Sequence, residues 1–131
     1  MLFPIALTAA AALALINLWL GFRCGRVRIS EKISIGDGGS DLLRTRMRAQ
    51  SNFSEYVPIT LILMALVEAG AEVDAYPWLY ILAALFILAR LAHPLGMERP
   101  APNPLRSGGM LVTILVTLAL AVWGLVMVFI G

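Results

Sequence analysis

Arg48-Ala-Gln-Ser-Asn52-Phe-Ser-Glu55-Tyr56-Val-Pro58 runs straight into Ile59-Thr-Leu-Ile-Leu-Met-Ala-Leu-Val67. The apolar run from Tyr56 to Val67 is too short to cross a hydrocarbon core of roughly 30 Å, which takes about 20 residues. It becomes long enough only if the polar stretch before it belongs to the same helix. A second run, Ala75 to Ala89, has the same problem and the same solution: Arg90 to Gly96 must be counted in. The polar residues then lie inside membrane-crossing helices, toward one end of the membrane.

The whole chain agrees. Hydrophobic residues make up 60% of it and charged residues 14%, against about 25% charged in a soluble domain. Mean hydropathy is +0.88. Leu2 to Phe22 and Ser107 to Gly131 are uncharged runs long enough to span a bilayer without help. The first is read as a retained helix rather than a cleaved signal, because its basic residues follow the apolar run instead of preceding it. The expectation is an all-α, four-helix membrane bundle forming one domain over 1–131, with spans at roughly 2–22, 48–69, 76–96 and 105–130.

Charge orients the bundle. Arg23, Arg26, Arg28, Lys32, Arg44, Arg46 and Arg48 cluster around the first loop, and Arg90, Arg99 and Arg106 around the third. The turn between helices two and three holds Glu68, Glu72 and Asp74 and no basic residue. The positive-inside rule makes the basic face cytoplasmic and puts both termini outside. A net charge of +2 gives no reason to expect nucleic acid as a partner. One cysteine, Cys24, and one histidine, His93, exclude an intrachain disulfide and a multi-histidine metal site. Cys24 reads as a buried small hydrophobe.

Local signals set the ends. Gly36-Asp-Gly-Gly39 reads as a turn, Ser40 or Asp41 as the cap of helix two, Pro77 as a first-turn residue of helix three, and Asn103-Pro104 as a cap followed by a proline at the first helical position.

Arg48, Asn52, Glu55 and Ile59 fall on one stripe of helix two, with Tyr56 beside it. A charge at the centre of a span costs about 3 kcal/mol on insertion scales, so such groups seek a partner, water or the bundle interior. A structural reading pairs Glu55 with Arg90 as an intramembrane clasp. Against it, the topology gathers Arg23, Arg26, Arg48, Asn52, Glu55, Tyr56, Arg90, His93 and Arg106 at one face. Five arginines facing one glutamate suit a ligand with carboxylates, which guanidinium groups bind bidentately, and with an ammonium for Glu55. Glutathione fits, as do other amino-acid-like anions.

The helix-two string resembles the signature of the MAPEG family, membrane-associated proteins in eicosanoid and glutathione metabolism, in the form closest to leukotriene C4 synthase. Arg90-Leu-Ala-His93 and Leu105-Arg106-Ser107 are similar to segments of the prostaglandin E synthase branch, and Gly36-Asp-Gly-Gly39 to the small bacterial branch. The resemblance implies a homotrimer, with glutathione as co-substrate held between subunits at the cytoplasmic face and membrane lipids around it. It implies that Arg48, Asn52, Glu55 and Tyr56 bind glutathione, with Gln50 coming from the adjacent subunit. It places Arg90, His93 and Arg23 or Arg26 near the site and gives Arg106 the activation of the thiol. Met97 and Met110 stand in regions where the eicosanoid-making members carry tyrosines, so a general glutathione transferase or peroxidase is the expected activity. Two other readings are a non-catalytic lipid-binding partner of the same fold and a small multidrug exporter. The exporters place an essential glutamate in helix one, which here is uncharged.

Overall fold

The computed structural model describes residues 2–130. Four long helices make up the chain: α1 Pro4–Glu31, α2 Asp41–Gly70, α3 Tyr76–Met97 and α4 Pro104–Phe129, with a single 3₁₀ turn, Val73–Ala75, leading into α3. Each is long and apolar enough to cross a membrane. The chain is a multi-pass integral membrane protein. α2 and α3 pack together, α1 lies against one side of the pair and α4 against the other, and α1 and α4 do not touch.

Apolar spacing explains the packing. Ile5, Ala9, Leu13, Ile16, Leu20, Cys24 and Val27 recur at intervals of three and four along α1 and are all buried. Phe53, Val57, Met64 and Val67 of α2 and Leu79, Ala83 and Phe86 of α3 meet them in one core. α4 buries only a thin stripe, Gly109, Thr113, Val116 and Leu120. Its other faces present leucines and valines outward, as a lipid-exposed helix does.

α1 and α2 are longer than the spans expected of them. α1 continues past Phe22 to Glu31, and α2 starts at Asp41 rather than near Arg48. No proline intervenes before Gly36, and Cys24, Val27 and Leu43 form a small second core with Ile33 and Met47. Cys24 is buried there, in line with the apolar role expected of it. The connection is thereby reduced to Lys32–Ser40. Gly36, Gly38 and Gly39 all have positive φ, which a turn this tight requires. Asp37 accepts the Gly39 N–H, and that bond and the Arg44 guanidinium hold its carboxyl below the usual carboxylate range. Ser40, not Asp41, caps α2 by accepting the Leu43 N–H. Asn103 caps α4 through the Leu105 N–H, with Pro104 at the first position.

Glu68 departs from the expectation. It is not in the α2–α3 turn but in the last turn of α2, and it is 3% exposed. Its two carboxylate oxygens accept the backbone N–H groups of Ile5 and Ala6 at 2.8 and 2.7 Å. Phe3 offers α1 no side-chain cap and the first turn of α1 contains no acid. The cap that α1 lacks in its own sequence is supplied by another helix.

Two glycines let α3 and α4 approach. A Cβ on Gly109 would sit 2.9 Å from the Ala89 carbonyl oxygen, and one on Gly96 would run into the backbone of Leu105 and Arg106. Both obstacles are backbone and cannot rotate away. Gly96→Ala is expected to cost about 1–3 kcal/mol through overpacking, read as a lower unfolding midpoint in detergent. An unchanged midpoint would show that the first turn of α4 gives way freely.

Candidate functional site

At the basic end, a cavity of about 540 Å³ opens between α2, the end of α3 and the start of α4. Arg48 and Asn52 of α2, His93 and Met97 of α3, and Arg106 and Met110 of α4 line it, and Ala101 to Asn103 close one side. No carboxylate is among its lining residues. Met97 and Met110 thus border the cavity directly.

Behind the lining residues lies a buried polar network. Arg90 is 0% exposed. One terminal nitrogen donates to Asn52 Oδ1 at 2.8 Å and the other to Thr113 Oγ1 at 3.3 Å, while its Nε has no partner. The guanidinium lies 5.6 Å from the Phe53 ring centroid, a distance at which the ring face attracts a cation. Asn52 is buried too, and its amide nitrogen points at Met110 Sδ, 3.8 Å away. In the free protein Asn52 is therefore a junction between α2, α3 and α4. His93 is 5% exposed, and its Nδ1 is buried without a partner.

The clasp between Glu55 and Arg90 does not form. Glu55 pairs instead with Arg48 of its own helix, at 2.8 Å, and both side chains are about half exposed. Glu55 also borders a second hollow of about 760 Å³ on the α1 side of α2, together with Gln50, Ser51, Ser54 and Arg28. The polar stretch of helix two thus faces two ways. Arg48 and Asn52 look into one hollow and Gln50 and Glu55 into the other. Tyr56 is half-buried beside them.

The first-helix arginines sit apart from the cavity. Arg23 stacks on Trp19, 4.6 Å from the ring centroid, and pairs with Glu98. Arg46 meets the same carboxylate at 2.6 Å and donates to the Arg23 carbonyl at 2.9 Å. Arg26 is exposed on the outward side of α1, in helical register with Phe22 and Ile29. Sequence reasoning overlooked Glu98. It is the only acid between Arg90 and Arg106, and that isolation on the basic face was the available signal. With Glu98 answering Arg23 and Arg46, and Glu55 answering Arg48, the arginines around the cavity without an ion pair among the described residues are Arg90 and Arg106.

Known proteins agree with this architecture. The family model described as "MAPEG family" matches residues 6–126. The chain is 33% identical over 97 residues to the inner membrane protein YecN of Escherichia coli strain K12, an alignment covering 72% of this chain and 71% of that protein. The YecN protein of Escherichia coli O6:H1 matches to the same extent.

Proposed function

The chain belongs to the MAPEG family, and on that premise we propose that it is a glutathione-dependent membrane enzyme, a transferase or peroxidase acting on lipophilic electrophiles. The observation that carries the reading is the cavity itself. It lies at the basic end, Arg48 and Arg106 line it, and no acid lines it. Such a site suits an anion with more than one carboxylate.

Arg48 and Glu55 hold each other in the free protein. A glutathione carboxylate takes over Arg48 and its ammonium takes over Glu55, so one ion pair is exchanged for two. Asn52, Gln50 and Tyr56 complete the contacts, with His93 in the lining and Arg90 behind it. Arg106 stands over the thiol. Nearby cations lower a thiol pKa from about 8.5 by one or more units, and a guanidinium does this as a counterion without accepting the proton. Arg23 is held by Glu98 and Trp19 and Arg26 faces outward, so their part is limited to the field of the basic face.

The reading includes a homotrimer. Ser51, Ser54 and Glu55 are exposed on a membrane-crossing helix in the single subunit, and polar groups at that depth need cover. A neighbouring copy that lays its Gln50–Glu55 hollow against the Arg48–Arg106 cavity provides it. The basic face is cytoplasmic by the positive-inside rule, which places both termini outside. Lipophilic substrates enter from the bilayer, along α1 and α4, which are unpaired within one subunit.

Glu55→Gln is expected to weaken glutathione binding by about 2 kcal/mol, the worth of a lost charge-assisted hydrogen bond. Titration calorimetry on the assembled variant checks this, and unchanged affinity removes Glu55 from the site. A second reading, a non-catalytic lipid-binding protein, draws on one observation. An apolar hollow of about 540 Å³ opens outward between α2 and α4, bordered by Leu63, Leu66, Gly124 and Leu125. That role leaves the charged cavity at the opposite end without a use.

A further inference from the structure

Forming a thiolate releases a proton, and Arg106 cannot take it. Arginine stays protonated in proteins. The same holds for Arg48, the other cation of the lining. Asn52, Asn103 and Ser107 do not accept protons at neutral pH, and neither do Met97 and Met110. The nearest acid on α2, Glu55, borders the other hollow and is held by Arg48. One lining residue remains whose ordinary pKa lies near neutrality, His93.

Resting on the glutathione reading, we infer that His93 is the proton acceptor of the site, taking the thiol proton at Nε2 while Arg106 holds the sulfur as thiolate. Nδ1 is buried and has no partner among the described residues, so Nε2 is the ring nitrogen able to exchange a proton with a molecule in the cavity. The backbone that carries the ring is closely packed. Gly109 of α4 packs directly on the His93 main chain, where a Cβ would come within 3.0 Å of its nitrogen.

Arg48 of α2 and Arg106 of α4 share the cavity lining with the ring, and Arg90 precedes it by three residues on α3. Bound glutathione brings two carboxylates and an ammonium, a net charge of about −1, and the thiolate adds one more negative charge. The thiolate left behind is the counterion of the imidazolium that its proton creates. The transfer balances. The S–H bond breaks and the Nε2–H bond forms. In a conjugate addition the sulfur then bonds to carbon, the electron pair moves to the enolate, and the imidazolium proton neutralises it.

His93 is the sole histidine, so its ring gives a single reporter by nitrogen NMR in labelled protein in detergent. Glutathione is expected to convert that ring to imidazolium at neutral pH. S-methylglutathione, which has no thiol proton, is expected to leave it neutral. In stopped-flow ultraviolet absorbance, His93→Gln is expected to bind glutathione within about 3-fold of the original affinity. It should form thiolate about 100-fold more slowly or worse, the lower end of what a positioned base contributes. Added imidazole should restore part of the rate, which a merely structural defect would not allow. A ring that stays neutral while thiolate accumulates, or a glutamine variant with full rate, overturns the assignment. A wild-type protein that does not bind glutathione overturns the parent reading instead.

Discussion

Replacing Glu68 by leucine should lower the stability of the bundle by about 3 kcal/mol or more. The figure follows from two buried N–H donors, those of Ile5 and Ala6, each losing its acceptor at a cost of roughly 1–3 kcal/mol. The first four N–H groups of any helix lack intrahelical partners. At the start of α1, Pro4 removes one of them, and Glu68 satisfies the next two with both oxygens. Its charge also opposes the positive end of the α1 dipole. Glu68→Gln retains a carbonyl acceptor and should lose less, about 1–2 kcal/mol. Denaturation of the detergent-solubilised protein by increasing SDS, followed by helical circular dichroism, measures both. Equal midpoints for the wild type and the leucine variant would show that water or detergent caps α1 just as well. Glutathione binding is a useful second readout. The cap lies at the acidic end and the cavity at the basic end, so a folded Glu68→Gln protein should bind normally.

Arg106→Ser should reduce turnover by about 10²–10³, the usual loss on removing one donor that stabilises developing negative charge. Arg106 sits in the first turn of α4, where the helix dipole disfavours a cation. Among the described residues it makes no ion pair, although Arg23, Arg44, Arg46 and Arg48 all do. A cation in an unfavourable place, unanswered by any acid and bordering a cavity, is suited to an anion from outside the chain. Arg106→Lys separates this role from anchoring at the headgroups. Lysine keeps the charge but loses the planar, multi-donor guanidinium. An anchoring arginine predicts a lysine variant with normal thiolate absorbance and rate. The catalytic role predicts one that binds glutathione through Arg48, Asn52 and Glu55 yet turns over far more slowly. A serine variant with full thiolate absorbance and full rate would move the function elsewhere.

The features legible in the sequence are those fixed by neighbours along the chain. Four spans, the basic and acidic ends, the glycine turn and the Asn103-Pro104 start of α4 all follow from local composition and spacing. So does the inward position of Arg90, because no charged residue flanking an apolar run of that length could face lipid cheaply. The choice of partner did not follow. Glu55 could reach Arg48, seven residues before it on the same helix, or Arg90 on the neighbouring one, and only packing shows that Asn52 takes Arg90. Glu68 reads as a turn charge and Glu98 goes unnoticed, since nothing in the sequence says that α1 begins beside the one or that Arg23 and Arg46 reach the other. The protruding ends of α1 and α2 were missed because hydropathy marks where a membrane stops, not where a helix does.

Arg90 has a bearing on how the protein is made. A translocon presented with α3 alone meets a guanidinium inside an otherwise apolar segment, at a cost of up to about 3 kcal/mol. Its two hydrogen-bond partners lie on either side of it in the order of synthesis. Asn52 has already left the ribosome, and Thr113 follows some twenty residues later. The third helix is thus the segment whose insertion leans on its neighbours, one waiting and one still to come. Biogenesis of this bundle is cooperative at that one position, while α1 and α4, free of charge across their apolar cores, can enter the bilayer unaided.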